Sequence, residues 1–136
     1  MNKVFVESLS RKFQGLEKKV QAVVRPALRR LKKQSTRVDV YLISEAGMRA
    51  LNKRFRERKR STNVLSFKEP KGFPHPEATT SYLGEIYLAP DYVRRKKENL
   101  EYLLVHGLLH LLGYTHLKKN DRIRMERLEK KLLGHG

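Results

Sequence analysis

Val105-His-Gly-Leu-Leu-His-Leu-Leu-Gly-Tyr-Thr-His116 opens as an apolar helix and closes as a turn. Three of the chain's five histidines fall inside eleven residues of it. His106 and His110 are four apart, so both rings leave one face of a helix, one turn above the other. Gly113 supplies a residue able to take positive φ and end the helix, and the chain beyond it can return His116 toward the first two imidazoles. Neutral imidazole suits zinc, and three protein ligands with one open position is the catalytic arrangement; structural sites close all four positions. There is no cysteine in the chain to close it. The spacing His-x3-His-x2-Gly-x2-His matches the long zinc-protease pattern except that the glutamate serving there as general base is Gly107 here, so peptide hydrolysis by that route is not expected. An isolated histidine pair on a leucine-rich helix would read as core; the glycine turn and His116 turn the reading to metal.

A chain of 136 residues without cysteine suggests one α+β domain, 1–136, with its own core and no disulfide framework. Met1 to Arg11 carries no apolar leader and no run is long enough to span a bilayer, which leads us to expect a cytoplasmic protein without a membrane partner. Thirty-one Lys and Arg against fourteen Asp and Glu give +17, a field that attracts polyanions. Adaptation to heat would raise glutamate along with lysine, which is not seen, so the imbalance points to nucleic acid.

Outward from the histidine helix, placed at Asn99 to Leu112, the chain alternates strands and helices. Lys3 to Glu7, Arg37 to Ser44, Ser61 to Lys68 and Tyr82 to Leu88 read as strands. Leu16, Val20, Val23, Val24, Leu28 and Leu31 mark an amphipathic helix from Gln14 to Lys33, with Pro26 expected to bend it or restart it. Ser44 is placed as the N-cap of a helix reaching Phe55, a short basic helix at Tyr92 to Lys97, and a last helix at Lys118 to Leu133 with Ile123, Leu128, Leu132 and Leu133 inward. Glu69 to Ser81, with three prolines, reads as a loop. Arg54, Arg58, Lys59 and Arg60 form a basic patch suited to nucleic-acid phosphate. Four strands and about five helices make an α+β domain with one mostly parallel or mixed sheet, the first two strands parallel across the helix between them.

These motifs resemble those of the YbeY family of bacterial rRNA maturation factors. His106-Gly-Leu-Leu-His110-Leu-Leu-Gly113-Tyr-Thr-His116 is similar to its signature His-Gly-x-Leu-His-Leu-x-Gly-Tyr-Asp-His. Leu51-Asn-Lys-Arg-Phe-Arg56 followed by Ser61-Thr-Asn-Val-Leu-Ser-Phe67, and Leu83-Gly-Glu-Ile86, resemble two further blocks in family order. The resemblance implies a metal-dependent, single-strand-specific endoribonuclease that trims the 3′ end of the small-subunit rRNA precursor. It implies one zinc per chain at His106, His110 and His116, and a role for Arg56, whose planar fork of donors matches phosphate. Its implied partners are rRNA and the small ribosomal subunit, with ribosomal or assembly-factor proteins beside them; no oligomeric state is implied. Thr115 stands where the family has aspartate and Glu85 where it has aspartate, while Glu57-Arg-Lys-Arg-Ser61 replaces Gly-Lys-Asp-Lys-Pro.

The expected chemistry is phosphodiester cleavage with Lewis-acid help from zinc and neutralisation of developing charge by Arg56. Glu85 is the one carboxylate that can be named as a general base, provided its strand ends near the metal. The alternative is a zinc-stabilised rRNA-binding or ribosome-assembly factor that cuts nothing. A hydrolase of small or peptide substrates rests on the histidine spacing alone and leaves the charge unexplained.

Overall fold

The computed structural model describes residues 2–56, 64–68, 81–114 and 119–133, the side chains of Phe55 and Arg56 excepted. Strand β1 (Lys3–Ser8) is followed by a 3-10 segment (Arg11–Leu16) that runs directly into helix α1 (Glu17–Arg30). Then come β2 (Thr36–Leu42), α2 (Glu45–Arg56), β3 (Val64–Lys68), β4 (Ser81–Leu88), α3 (Pro90–Arg95), α4 (Leu100–Leu111) and α5 (Lys119–Leu132). The sheet order is β1-β2-β4-β3. β1, β2 and β4 are parallel and β3 is antiparallel to β4, so the expected mixed sheet and the parallel first pair are both present.

Strand alternation divides the molecule into two layers of side chains. Val38, Val40 and Leu42 of β2 and Ile86 and Leu88 of β4 face α1 and α4 and are fully buried with Val20, Val24 and Leu28 of α1. Each such side chain contributes roughly 1.5–3 kcal/mol, so this layer is the main source of stability. On the other face Leu65, Tyr41, Phe67 and Tyr87 pack with Met48 and Leu51 of α2. Helices therefore lie on both faces of the sheet. Toward β1 this second face is acidic: Asp39, 7% exposed, pairs with Arg37 at 3.1 Å and accepts from the Tyr82 hydroxyl at 3.0 Å, with Glu85 nearby.

Pro26 lies inside α1, which runs through it. Of the two expected outcomes the restart does not occur: the proline removes the donor to the carbonyl of Ala22, and Ala22 is exposed, where water can take that place. On α5, Leu128, Leu132 and Leu133 turn inward as expected and Ile123 does not. Met125, Glu129 and Leu132 are its buried residues, and Ile123 is 40% exposed. Ser44 does cap α2, its hydroxyl accepting from the Gly47 amide at 3.0 Å. The strand residues 61–63 and the loop residues 69–80 lie outside the described residues.

Candidate metal centre

Helix α4 is held at both ends. The Asn99 side chain accepts from the Tyr102 amide at 2.9 Å, an N-cap that fixes the helix start. At the other end Gly113 takes φ +99°, its amide donates to the His110 carbonyl at 3.0 Å, and the Tyr114 amide donates to the Leu109 carbonyl at 3.0 Å. That is the Schellman arrangement, and it needs the glycine predicted from sequence. Between the caps the helix is buried on most sides: Leu103, Leu104, Val105, Gly107, Leu108, Leu109 and Leu111 are all covered. Gly107 lies against the sheet, where an added Cβ would meet Ile86 Cγ2 at 3.3 Å and Val64 Cγ2 at 3.4 Å. What remains is a polar stripe at i, i+4 and i+8: Tyr102, His106 and His110.

The stripe is ordered by contacts. His106 Nδ1 is 2.9 Å from Oε2 of Glu129 on α5. An ionised carboxylate only accepts, so Nδ1 carries the hydrogen and Nε2 carries the lone pair. His106 Nε2 is 3.0 Å from His110 Nε2, with ring centroids 4.5 Å apart and planes at 74°. Two nitrogens on one tetrahedral zinc, each about 2.0–2.1 Å from it, stand roughly 3.3 Å apart. The histidine pair thus fits a shared cation with a few tenths of an ångström of opening; without one, the same contact is a hydrogen bond in which one ring donates. Tyr102 stacks beside His106 at 5.8 Å between centroids. Its hydroxyl pKa is raised, by burial first and then by the Glu129 carboxylate.

The other sequence candidates divide sharply. His116 and Thr115, with the basic residues Arg58, Lys59 and Arg60, lie outside the described residues; so do His75 and His135. Arg56 is the last residue of α2 and Arg54 is exposed on the same helix. Glu85 requires a correction. Its strand neighbour Gly84 faces α4, an added Cβ there meeting Leu111 at 3.1 Å, so Glu85 points to the opposite face of the sheet. There it pairs in register with Phe67 and accepts from the Tyr87 hydroxyl at 3.4 Å. The sheet stands between it and the histidines, and it is not their general base.

Two residues near the centre escaped the sequence reading. Glu129 is the first, and its signal was legible: an acidic residue in the apolar series Met125, Glu129, Leu132. The second is Lys68 at the end of β3, whose ammonium lies 3.7 Å from where a Gly113 Cβ would be, beside the turn that ends α4. A cavity of about 310 Å³ opens at the same turn, lined by Leu112, Gly113, Tyr114, Asp121 and Arg124. A larger one, about 660 Å³, sits toward the start of α4 between Phe13, Leu16, Pro90, Val93 and Leu100, and holds none of the candidate residues. Size does not outweigh chemistry here.

Comparison with known proteins gives the family and the fold. The family model described as Endoribonuclease YbeY matches residues 5–135. The chain is 38% identical over 105 residues to an Endoribonuclease YbeY of Nitrobacter hamburgensis, covering 70% of this chain and 55% of that one. It is 30% identical over 139 residues to an Endoribonuclease YbeY of Buchnera aphidicola, covering 95% of this chain and 88% of the relative. A solution structure of a Thermotoga maritima protein shares the fold with a TM-score of 0.55 at 24% identity, over 98% of this chain and 90% of that one. With the signature histidines paired on a capped helix and the match running nearly end to end, the chain belongs to the Endoribonuclease YbeY family.

Proposed function

We propose that this chain is a zinc-dependent, single-strand-specific endoribonuclease that matures the 3′ end of 16S rRNA in the cytoplasm, one zinc per chain. The observation that carries the reading is the 3.0 Å approach of the two histidine ε nitrogens on α4 in a chain of this family. His106, His110 and His116 would hold the metal, which when bound supplies Lewis-acid activation of water or of a phosphate oxygen. Arg56, ending α2, would present its guanidinium to the scissile phosphate and neutralise charge as the transition state forms. Arg54, Arg58, Lys59 and Arg60 would hold the flanking backbone of the strand. Exposed basic residues support a polyanionic partner: Arg122, Arg124, Arg127, Lys130 and Lys131 lie along α5, the helix that meets the histidines through Glu129. RNA and the small subunit are the partners that fit this surface, with ribosomal or assembly proteins beside them. Among the described residues no helix is long and apolar enough to cross a membrane.

A second reading, a zinc-stabilised rRNA-binding factor without nuclease activity, is favoured by one observation. With Glu85 on the far face, none of the described candidate residues stands as the general base. The deciding experiment is cleavage of single-stranded and duplex RNA by wild type, Arg56→Ala and His110→Ala, with metal content measured on the same preparations. Cleavage of single strands by wild type, with both variants inactive and the arginine variant retaining zinc, supports the nuclease. Tight RNA binding with bound zinc and no cleavage supports the binding factor.

A further inference from the structure

Glu129 is an anomaly in its helix. It is 2% exposed, between Met125 at 0% and Leu132 at 7%. Removing a carboxylate from water costs several kcal/mol, and a leucine would complete the stripe without that cost. One oxygen, Oε2, receives the His106 Nδ1 hydrogen at 2.9 Å; the other, Oε1, has no hydrogen-bond partner among the described residues. The fold thus carries a buried carboxylate whose bonds run to α4, to the His106 imidazole at 2.9 Å and to the Tyr102 hydroxyl beside it.

We propose that Glu129 is the positioning residue of the metal centre, holding His106 in the Nδ1–H tautomer with its Nε2 lone pair aimed at the cation. This rests on the metal reading above. Carboxylates in this relation to a ligand imidazole fix its tautomer and ring orientation and raise its basicity. Here the carboxylate comes from α5, so the ligand pair is tied to the helix that follows it in the chain. The family's aspartate, replaced by Thr115 in this chain, is then not the sole carboxylate able to orient a ligand.

A structural role and a positioning role make opposite predictions. Zinc affinity is measured on the intact protein at pH 8 by competition with a chromophoric chelator, and metal-free melting is followed on the same samples. Expected is a loss of about tenfold in affinity for Glu129→Gln and about a hundredfold for Glu129→Leu. The metal-free leucine variant should melt at or above wild type, since an apolar side chain replaces a buried charge. Imidazole nitrogen spectra of the metal-free wild type should show His106 with its hydrogen on Nδ1, and of the leucine variant a shift toward Nε2–H. Wild-type affinity in both variants, or an Nε2–H tautomer in the wild type, overturns the proposal while leaving the metal reading intact. Absence of zinc binding by the wild type overturns both. If the leucine variant does not fold, the nearly isosteric glutamine variant decides.

Discussion

Gly84→Ala should be among the most damaging small substitutions in the molecule, and its cost can be worked from the contacts. Gly84 takes φ +137°, a region L residues rarely adopt, at a cost of about 1–3 kcal/mol. The new Cβ would sit 2.2 Å from the carbonyl oxygen of Phe67 on the neighbouring strand, more than 1 Å inside ordinary contact. Retreat is blocked, with Leu111 Cδ2 and Lys68 Cα each at 3.1 Å. Relief requires β3 to part from β4, and overpacking of this kind adds roughly 1–3 kcal/mol. The expected total is about 2–6 kcal/mol, a large share of the roughly 5–15 kcal/mol that stabilises a domain. Equilibrium unfolding in urea, followed by circular dichroism at 25 °C, should show the midpoint falling by about 2 M with the slope unchanged. Gly15→Ala is the control: nothing lies within 4 Å of its added Cβ, and its stability should stay within about 0.5 kcal/mol of wild type. A loss below about 1 kcal/mol at Gly84 would show that the strand pair is not closed at this point, and would refute the packing argument.

Four further outcomes are expected. His110→Ala should lose zinc and RNA cleavage together, and chelation should lower the melting temperature of wild type but not of this variant; an active, zinc-free variant would remove the metal from the mechanism. Glu85→Gln should cut RNA within about twofold of wild type, because the side chain lies on the far face; a loss of a hundredfold or more in cleavage assays would restore the discarded base. Arg56→Ala should weaken RNA binding and reduce the slope of log affinity against log salt by about 0.7, the value for one phosphate contact on a single strand. Burial, then Glu85 and Tyr41, raise the Tyr87 hydroxyl to about 12. The native state then keeps a proton that the unfolded chain loses above about pH 10, so this contribution to stability is full below pH 10 and falls as pH rises toward 12. The stability difference between wild type and Tyr87→Phe should shift against wild type over that window, and a flat difference would refute the assignment.

The histidine helix was legible because its signals agree: a run of leucines to bury and a glycine where the helix ends in positive φ. Strand order was not, since alternation fixes which residues share a face but not which face meets a helix. Glu85 shows the cost of that gap. Its parity relative to Gly84 was readable, but only the contact of Gly84 with Leu111 says which side is which. Pro26 left two outcomes open in the sequence because propensity counts a lost donor without asking whether solvent is there to replace it. Glu129 was passed over because Leu128, Leu132 and Leu133, which do pack inward, completed an apolar face without it, and the charge on that face is explained only by its partners on α4.

On paper one residue, Gly107, separates this signature from that of the zinc peptidases. In the folded chain the distance is much greater. The α-carbon of Gly107 is turned to Ile86 and Val64, so a glutamate there would start its side chain into the sheet while His106 and His110 look elsewhere. The place of that residue relative to the histidines is fixed by their spacing on one helix, so its carboxylate could reach the metal only by displacing the side chains of β3 and β4 that it meets. Drift by single substitutions therefore has no short route from this chain to peptide hydrolysis, and the two chemistries are neighbours in the alphabet without being neighbours in packing.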